Sequence, residues 1–67
     1  MAVLKVIEVL SSSTKSWEDA TAKAVKEASK TLKNVTSAYV EDQSVTVKNG
    51  KVSEYRVNLK LTFRLGK

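Results

Sequence analysis

Residues 38–65 constrain this chain more than any other stretch, because two strand-like runs meet there at Asn49-Gly50. The second run alternates almost without a break. Tyr55, Val57, Leu59, Leu61, Phe63 and Leu65 fall on one side, and Glu54, Arg56, Asn58, Lys60, Thr62 and Arg64 on the other. Side chains on a strand point to opposite faces with period two, so this run has one buried face and one polar face. A slip of one residue would exchange the two faces, which pins the register. Asn-Gly between β-rich runs signals a hairpin, since a type I′ turn needs positive φ at both central residues.

The rest of the chain supplies the partners for that hairpin. Residues 2–10 are rich in Val, Leu and Ile, with Lys5 and Glu8 as interruptions, and read as a first strand buried over much of both faces. Ser11-Ser12-Ser13-Thr14 reads as a polar connection, because such side chains compete for backbone hydrogen bonds. A helix is expected from about Trp17 to Lys33, with Ser16 as N-cap and Asp19 completing a variant of the capping box. Glu18 and Asp19 in the first turn and Lys30 and Lys33 near the last match the helix dipole. At helical spacing Trp17, Ala20, Thr21, Ala24, Ala28, Thr31, Leu32 and Val35 share one face. In a second strand over 36–48, Ala38 and Val40 share one parity and Val45 and Val47 the other. Glu41-Asp42-Gln43-Ser44 lies between them and implies a bulge or bend.

The order is β-α-β-β, an α+β fold. A helix returning antiparallel to strand one leaves strands one and two pointing the same way. The all-antiparallel solution therefore places strand three in the middle, order 1-3-2, with the helix on one face. The 67 residues make a single domain, 1–67. A chain this small gains core burial by associating, and the uncovered edges of its sheet offer a surface for that.

Composition removes several functions. Cysteine and histidine are both absent, which excludes disulfides, thiolate metal sites and the usual general base. With two glycines there is no phosphate-cradling loop, and Ser11, Ser12 and Ser13 have no partner base, so catalysis is not expected. No run of apolar residues is long enough to span a membrane, and the N-terminus reads as a strand and not as a signal peptide, so the expected location is cytoplasmic. The net charge of +5 leaves anionic partners open. Lys23, Lys26, Lys30 and Lys33 form a stripe opposite the apolar face, yet no arginine or aromatic interleaves with them, as a nucleic-acid interface would require. The stripe reads as a solvated helix face. Arg56, Lys60 and Arg64 line the sheet face away from the helix and are the better place for an anionic group such as a phosphate.

Several short motifs in fixed order carry a resemblance. They are Lys5-Val6-Ile7-Glu8, Ser12-Ser13, the alanine-rich helix ending near Leu32, Asp42, and the strand from Tyr55-Arg56-Val57 to Phe63-Arg64-Leu65. Together they resemble the dodecin family, small β-α-β-β proteins that form hollow dodecameric shells. The resemblance implies a homo-oligomer that binds a small ligand or cation. Flavin-binding members carry a stacking tryptophan after the helix and a glutamine in the last strand, and those positions correspond here to Ser37 and Arg56. Serine has no aromatic face, and arginine donates hydrogen bonds but accepts none. The usual flavin site is therefore expected to be missing. Ser16-Trp17-Glu18 is similar to a flavin-free branch described as binding calcium, which makes calcium or another divalent cation the favoured cofactor and flavin the alternative.

Among the carboxylates, Glu41 and Asp42 at the irregular point of strand two are the preferred metal donors. A solvated or salt-bridged bulge is the plainer explanation for them. Trp17 reads as a core anchor rather than as a stacking platform. Restoring the aromatic alone leaves the acceptor missing: Ser37→Trp is expected to bind riboflavin more weakly than micromolar, and a fluorescence titration giving a micromolar or tighter constant would overturn this account of Arg56.

Overall fold

The computed structural model describes residues 2–66. Its elements are β1 (Leu4–Ser13), α1 (Trp17–Thr31), β2 (Val35–Lys48) and β3 (Lys51–Arg64). The sheet order is β1-β3-β2 with both pairings antiparallel, as the alternating pattern predicts. Asn49 and Gly50 take φ values of 55° and 75°, the two positive values a type I′ hairpin needs.

Several boundaries move. Ser11, Ser12 and Ser13 are not a connection; they continue β1 opposite Val57, Arg56 and Tyr55. Their hydroxyls face elements that can use them. Ser11 Oγ donates to the Ala20 carbonyl at 2.8 Å, tying β1 to the helix. The helix stops at Thr31, short of Lys33, and Val35 opens β2 opposite Phe63 instead of extending the apolar stripe. Asn34 makes the intervening reversal at φ 65°, a left-handed conformation that asparagine tolerates.

The helix start is a small hydrogen-bonded unit. Asp19 N–H donates to Ser16 Oγ at 2.9 Å, the expected cap. The return contact differs from a capping box. The Asp19 carboxylate accepts from Ser13 Oγ at 2.6 Å, and Ser13 Oγ in turn accepts the Lys15 N–H at 2.9 Å. Ser13 is buried, which explains how a strand residue comes to organise the first turn. Hydrogen bonding from Ser13, then Lys23 at 3.4 Å and nearby Lys15, holds the Asp19 carboxyl below the usual carboxylate range against the opposing effect of desolvation.

The core lies between α1 and the odd-numbered face of β3. Val57, Leu59 and Leu61 are fully buried, Phe63 nearly so, and Ala20 is the buried contact from the helix. Val9, Trp17 and Ala24 pack around them. Strand one is not buried on both faces: Leu4, Val6 and Leu10 are exposed at 53%, 55% and 63%. Leu65 and Thr31, both expected on buried faces, are exposed as well, because each lies at or beyond the end of its element.

Length explains the exposure. A helix of 15 residues spans about 22 Å at 1.5 Å per residue, whereas strands of 14 residues span about 46 Å at 3.3 Å per residue. The longest dimension of the molecule is 50 Å. The helix therefore covers about half of the hairpin, and Val45, Val47 and Val52 project uncovered beyond it. Along β1 a trough of about 630 Å³ also stays open, lined by Ile7, Val9, Leu10, Ala24, Ala28 and Leu32.

Because the folded carboxyl of Asp19 titrates below its unfolded value of about 3.9, its contribution is present above that pH and is lost as pH falls through the lower folded value. Ser13→Ala should therefore be less stable than the wild type at pH 6, with the gap narrowing as the pH falls below about 4. Urea unfolding across that range checks this, and a pH-independent gap would sink the linkage.

Candidate functional site

The face of the sheet turned away from α1 holds nearly all of the residues singled out from the sequence. Its geometry depends on a bulge. Val40 pairs with Leu59 and Asp42 with Asn58, so Glu41 is an extra residue between two consecutive ladder positions. In an unbroken strand, neighbours point to opposite faces. Here Glu41 reaches Lys60, 3.7 Å from Oε1 to Nζ, and Asp42 stands opposite Asn58, both partners on the outer, even-numbered face of β3. The bulge thus puts two adjacent carboxylates on one side of the sheet. It also returns Val40 and Val45, of opposite parity in the sequence, to the same helix-facing side, opposite Leu59 and Tyr55.

Lys60 sits at the centre of a row crossing all three strands. Glu8 on β1 is its register partner on one side, and Tyr39 on β2 on the other. Directly opposed side chains have Cβ atoms about 4.5–5.5 Å apart. The Glu41–Lys60 pair is partly exposed, at 38% and 46%. Among the described residues, no group of three or more His, Cys, Asp or Glu is close enough to hold a metal. Calcium takes about six to eight oxygens, so the described residues of one chain do not by themselves supply a coordination sphere.

Ser37 and Arg56 are not brought together. Ser37 stands opposite Thr62, six residues along β3 from Arg56, or about 20 Å at 3.3 Å per residue. Any site using both positions must take them from two copies. Arg56 is flanked across the strands by Ser12 and Ser44. Tyr39 is the residue that sequence reasoning passed over: it shares the face of Ser37, two positions on, and is 67% exposed. Its parity with Ser37 was the available signal.

Trp17 lies on the opposite face. Its indole Nε1–H donates to the Ser44 carbonyl at 3.0 Å, and its ring meets Tyr55 edge-on, with centroids 5.1 Å apart at 77°. This fastens the helix start to β2 and β3 together, as a core anchor does. In the lysine stripe, Lys23 pairs with Asp19 at 3.4 Å and Lys30 with Glu27 at 3.0 Å. No helix among the described residues is long and apolar enough to cross a membrane.

Against known families, residues 3–66 match the model described as Dodecin. The chain belongs to the dodecin family. Calcium dodecin of Mycobacterium tuberculosis is 34% identical over 65 residues, which are 97% of this chain and 92% of that protein. Its structure, described as that of a calcium-chelating immunodominant antigen with a novel calcium-binding site, superposes with a TM-score of 0.85 over 97% of this chain and 93% of that one. Dodecin from Streptomyces coelicolor, 32% identical, superposes with a TM-score of 0.94 over 98% and 94% of the two chains. The dodecin fold accounts for the element order and the 1-3-2 sheet.

Within that fold Trp17 does two jobs, and they separate by substitution. Trp17→Phe keeps a ring against Tyr55 but gives up the solvent-exposed bond to the Ser44 carbonyl, which should cost about 0.5–1.5 kcal/mol of stability. Thermal or urea unfolding checks this; a variant as stable as the wild type would remove the hydrogen bond from the account of how the helix is anchored.

Proposed function

We propose that this dodecin assembles as a homo-oligomeric shell, a dodecamer, and that it binds a divalent cation, calcium in the first place, through Glu41 and Asp42. The observation that carries the cation reading is the bulge that turns both carboxylates to one face. The 34% identity to a protein named calcium dodecin supports it. One chain's donors do not complete a calcium sphere. In the assembly, carboxylates from several copies around a symmetry axis, together with water, complete it.

Assembly is supported by what one chain leaves uncovered. The exposed Leu4, Val6 and Leu10, the trough along β1 and the projecting hairpin valines are more apolar surface than a small monomer keeps in water. The partner is further copies of the same chain, with neither nucleic acid nor a catalytic substrate. Flavin storage is the competing reading. Tyr39 favours it as an exposed ring on the face of Ser37. The missing acceptor at Arg56 and the serine at Ser37 weigh against it.

Native mass spectrometry before and after chelation, and after riboflavin addition, tests the proposal. The expected spectrum is a dodecameric mass that loses small increments on chelation and gains none with riboflavin. A monomer would refute the assembly, and riboflavin-sized increments would replace the cation reading with the flavin one.

A further inference from the structure

Given the reading of the protein as a shell of identical subunits, on which this contact depends, we propose that the projecting half of the β2–β3 hairpin is an arm. It seats in the trough between α1 and β1 of a second copy of the chain. The arm carries an assembled apolar face. From Val45 to Val47 strand β2 has no extra residue, so both valines point to the helix side, beyond the start of their own helix. Thr46 pairs with Glu54 and Val47 with Val52, which leaves Ser53 as an extra residue of β3. That bulge turns Val52, even-numbered like Arg56, to the side of Val47, its partner across the ladder. Val45, Val47 and Val52 therefore meet on one side, exposed at 37%, 67% and 51%.

Arm and trough lie toward opposite ends of the protomer. Trp17 at the helix start bonds the Ser44 carbonyl, and the three valines lie farther out, toward the turn. The trough runs the other way, along the helix from Lys23 to Leu32 and beside Ile7, Val9 and Leu10. Ala28 on its wall is about 16 Å along the helix from Trp17 at 1.5 Å per residue. An arm cannot fill its own trough and reaches that of a neighbour. Each copy gives one arm and receives one, a head-to-tail contact that closes rings.

The uncovered area matches such a contact. The chain exposes 5069 Å², whereas a folded monomer of 7.4 kDa exposes about 4200 Å². The surplus of roughly 860 Å² is close to the ~800 Å² that each partner hides in a standard interface. The radius of gyration is 13.7 Å, against about 11 Å for a compact domain of this length, so the surplus lies in the extended shape and not in a rough surface.

The chain has no cysteine, so introduced thiols report on this contact alone. Val47→Cys and Ala28→Cys chains, co-expressed as a mixed assembly and treated with a short bismaleimide, should give a cross-linked two-chain species. Neither variant alone should give one. Val47→Glu places a charge in the contact, and because Val47 is exposed in the protomer the fold should survive, as circular dichroism will show. Sedimentation on dilution should find its assembly midpoint raised about tenfold or more, the size expected for losing one buried valine. Lys26→Glu, an equal gain of negative charge on the solvated helix face, should leave the midpoint unchanged.

The failures are distinguishable. A wild type that is monomeric at micromolar concentration overturns the shell reading and this contact with it. An assembled wild type that yields no mixed cross-link leaves the shell standing and overturns the contact, as does a Val47→Glu variant that assembles like the wild type. A two-chain product from Val47→Cys alone would mean that arms pair with each other, and overturns it too. If Val47→Glu does not fold, the cross-link between thiol variants decides.

Discussion

Everything in this fold is hung on the buried row of β3. Val57, Leu59, Leu61 and Phe63 present one face to the helix while the backbone of the same strand carries both ladders, to β1 and to β2. The strand cannot slip by one residue without driving Arg56, Lys60 and Arg64 into the core. Fixing that register fixes every cross-strand neighbour on the outer face. The row Glu8, Lys60, Tyr39 and the row Ser12, Arg56, Ser44 thus follow from apolar burial on the other side of the sheet, while Glu41 reaches Lys60 from the bulge. Core and candidate site are two faces of one alternation.

The bulge at Glu41 is where that alternation is deliberately broken. It spends one residue of β2 without a partner, and in return two adjacent acidic side chains reach the same face while Val40 and Val45 both return to the helix side. A bulge also bends and twists the strand that carries it. Shortly beyond it, Ser44 offers its carbonyl to Trp17, so this one of the three register shifts between β2 and β3 lies close to the point where the helix is fastened. Packing and site geometry are coupled through a few residues on β2.

A 15-residue helix on 14-residue strands leaves a protomer that is half covered. This mismatch is the physical basis for proposing assembly: the trough along β1, the outer apolar residues of that strand and the hairpin valines need a neighbour for lack of a second helix. Partial donor sets, and positions such as Ser37 and Arg56 that are far apart in one chain, have the same logic. Sites that are incomplete in a protomer are natural in a shell.

Local chemistry was legible in the sequence. Period-two alternation announced β3, Asn49-Gly50 announced the turn, Ser16 and Asp19 announced the helix start, and conflicting parities on either side of Glu41 to Ser44 announced the bulge. Each of these is a property of a few neighbouring residues and their backbone. Ser11 to Ser13 misled because hydroxyl-rich stretches usually leave the sheet; here Ser11 bonds the helix carbonyl of Ala20 and Ser13 the carboxylate of Asp19, partners brought near only by the fold. The pairing of Lys60 with Glu41 was hidden for the same reason, since it depends on how β2 registers against β3 across a bulge, whereas the parity of Tyr39 with Ser37 was there to be read. The sequence by itself determined the elements, their order and the sheet topology, because those follow from local periodicity and turn stereochemistry. Which side chains meet across strands, and which faces are left uncovered, was decided only by the tertiary structure, because one shifted residue in a ladder reassigns every contact beyond it.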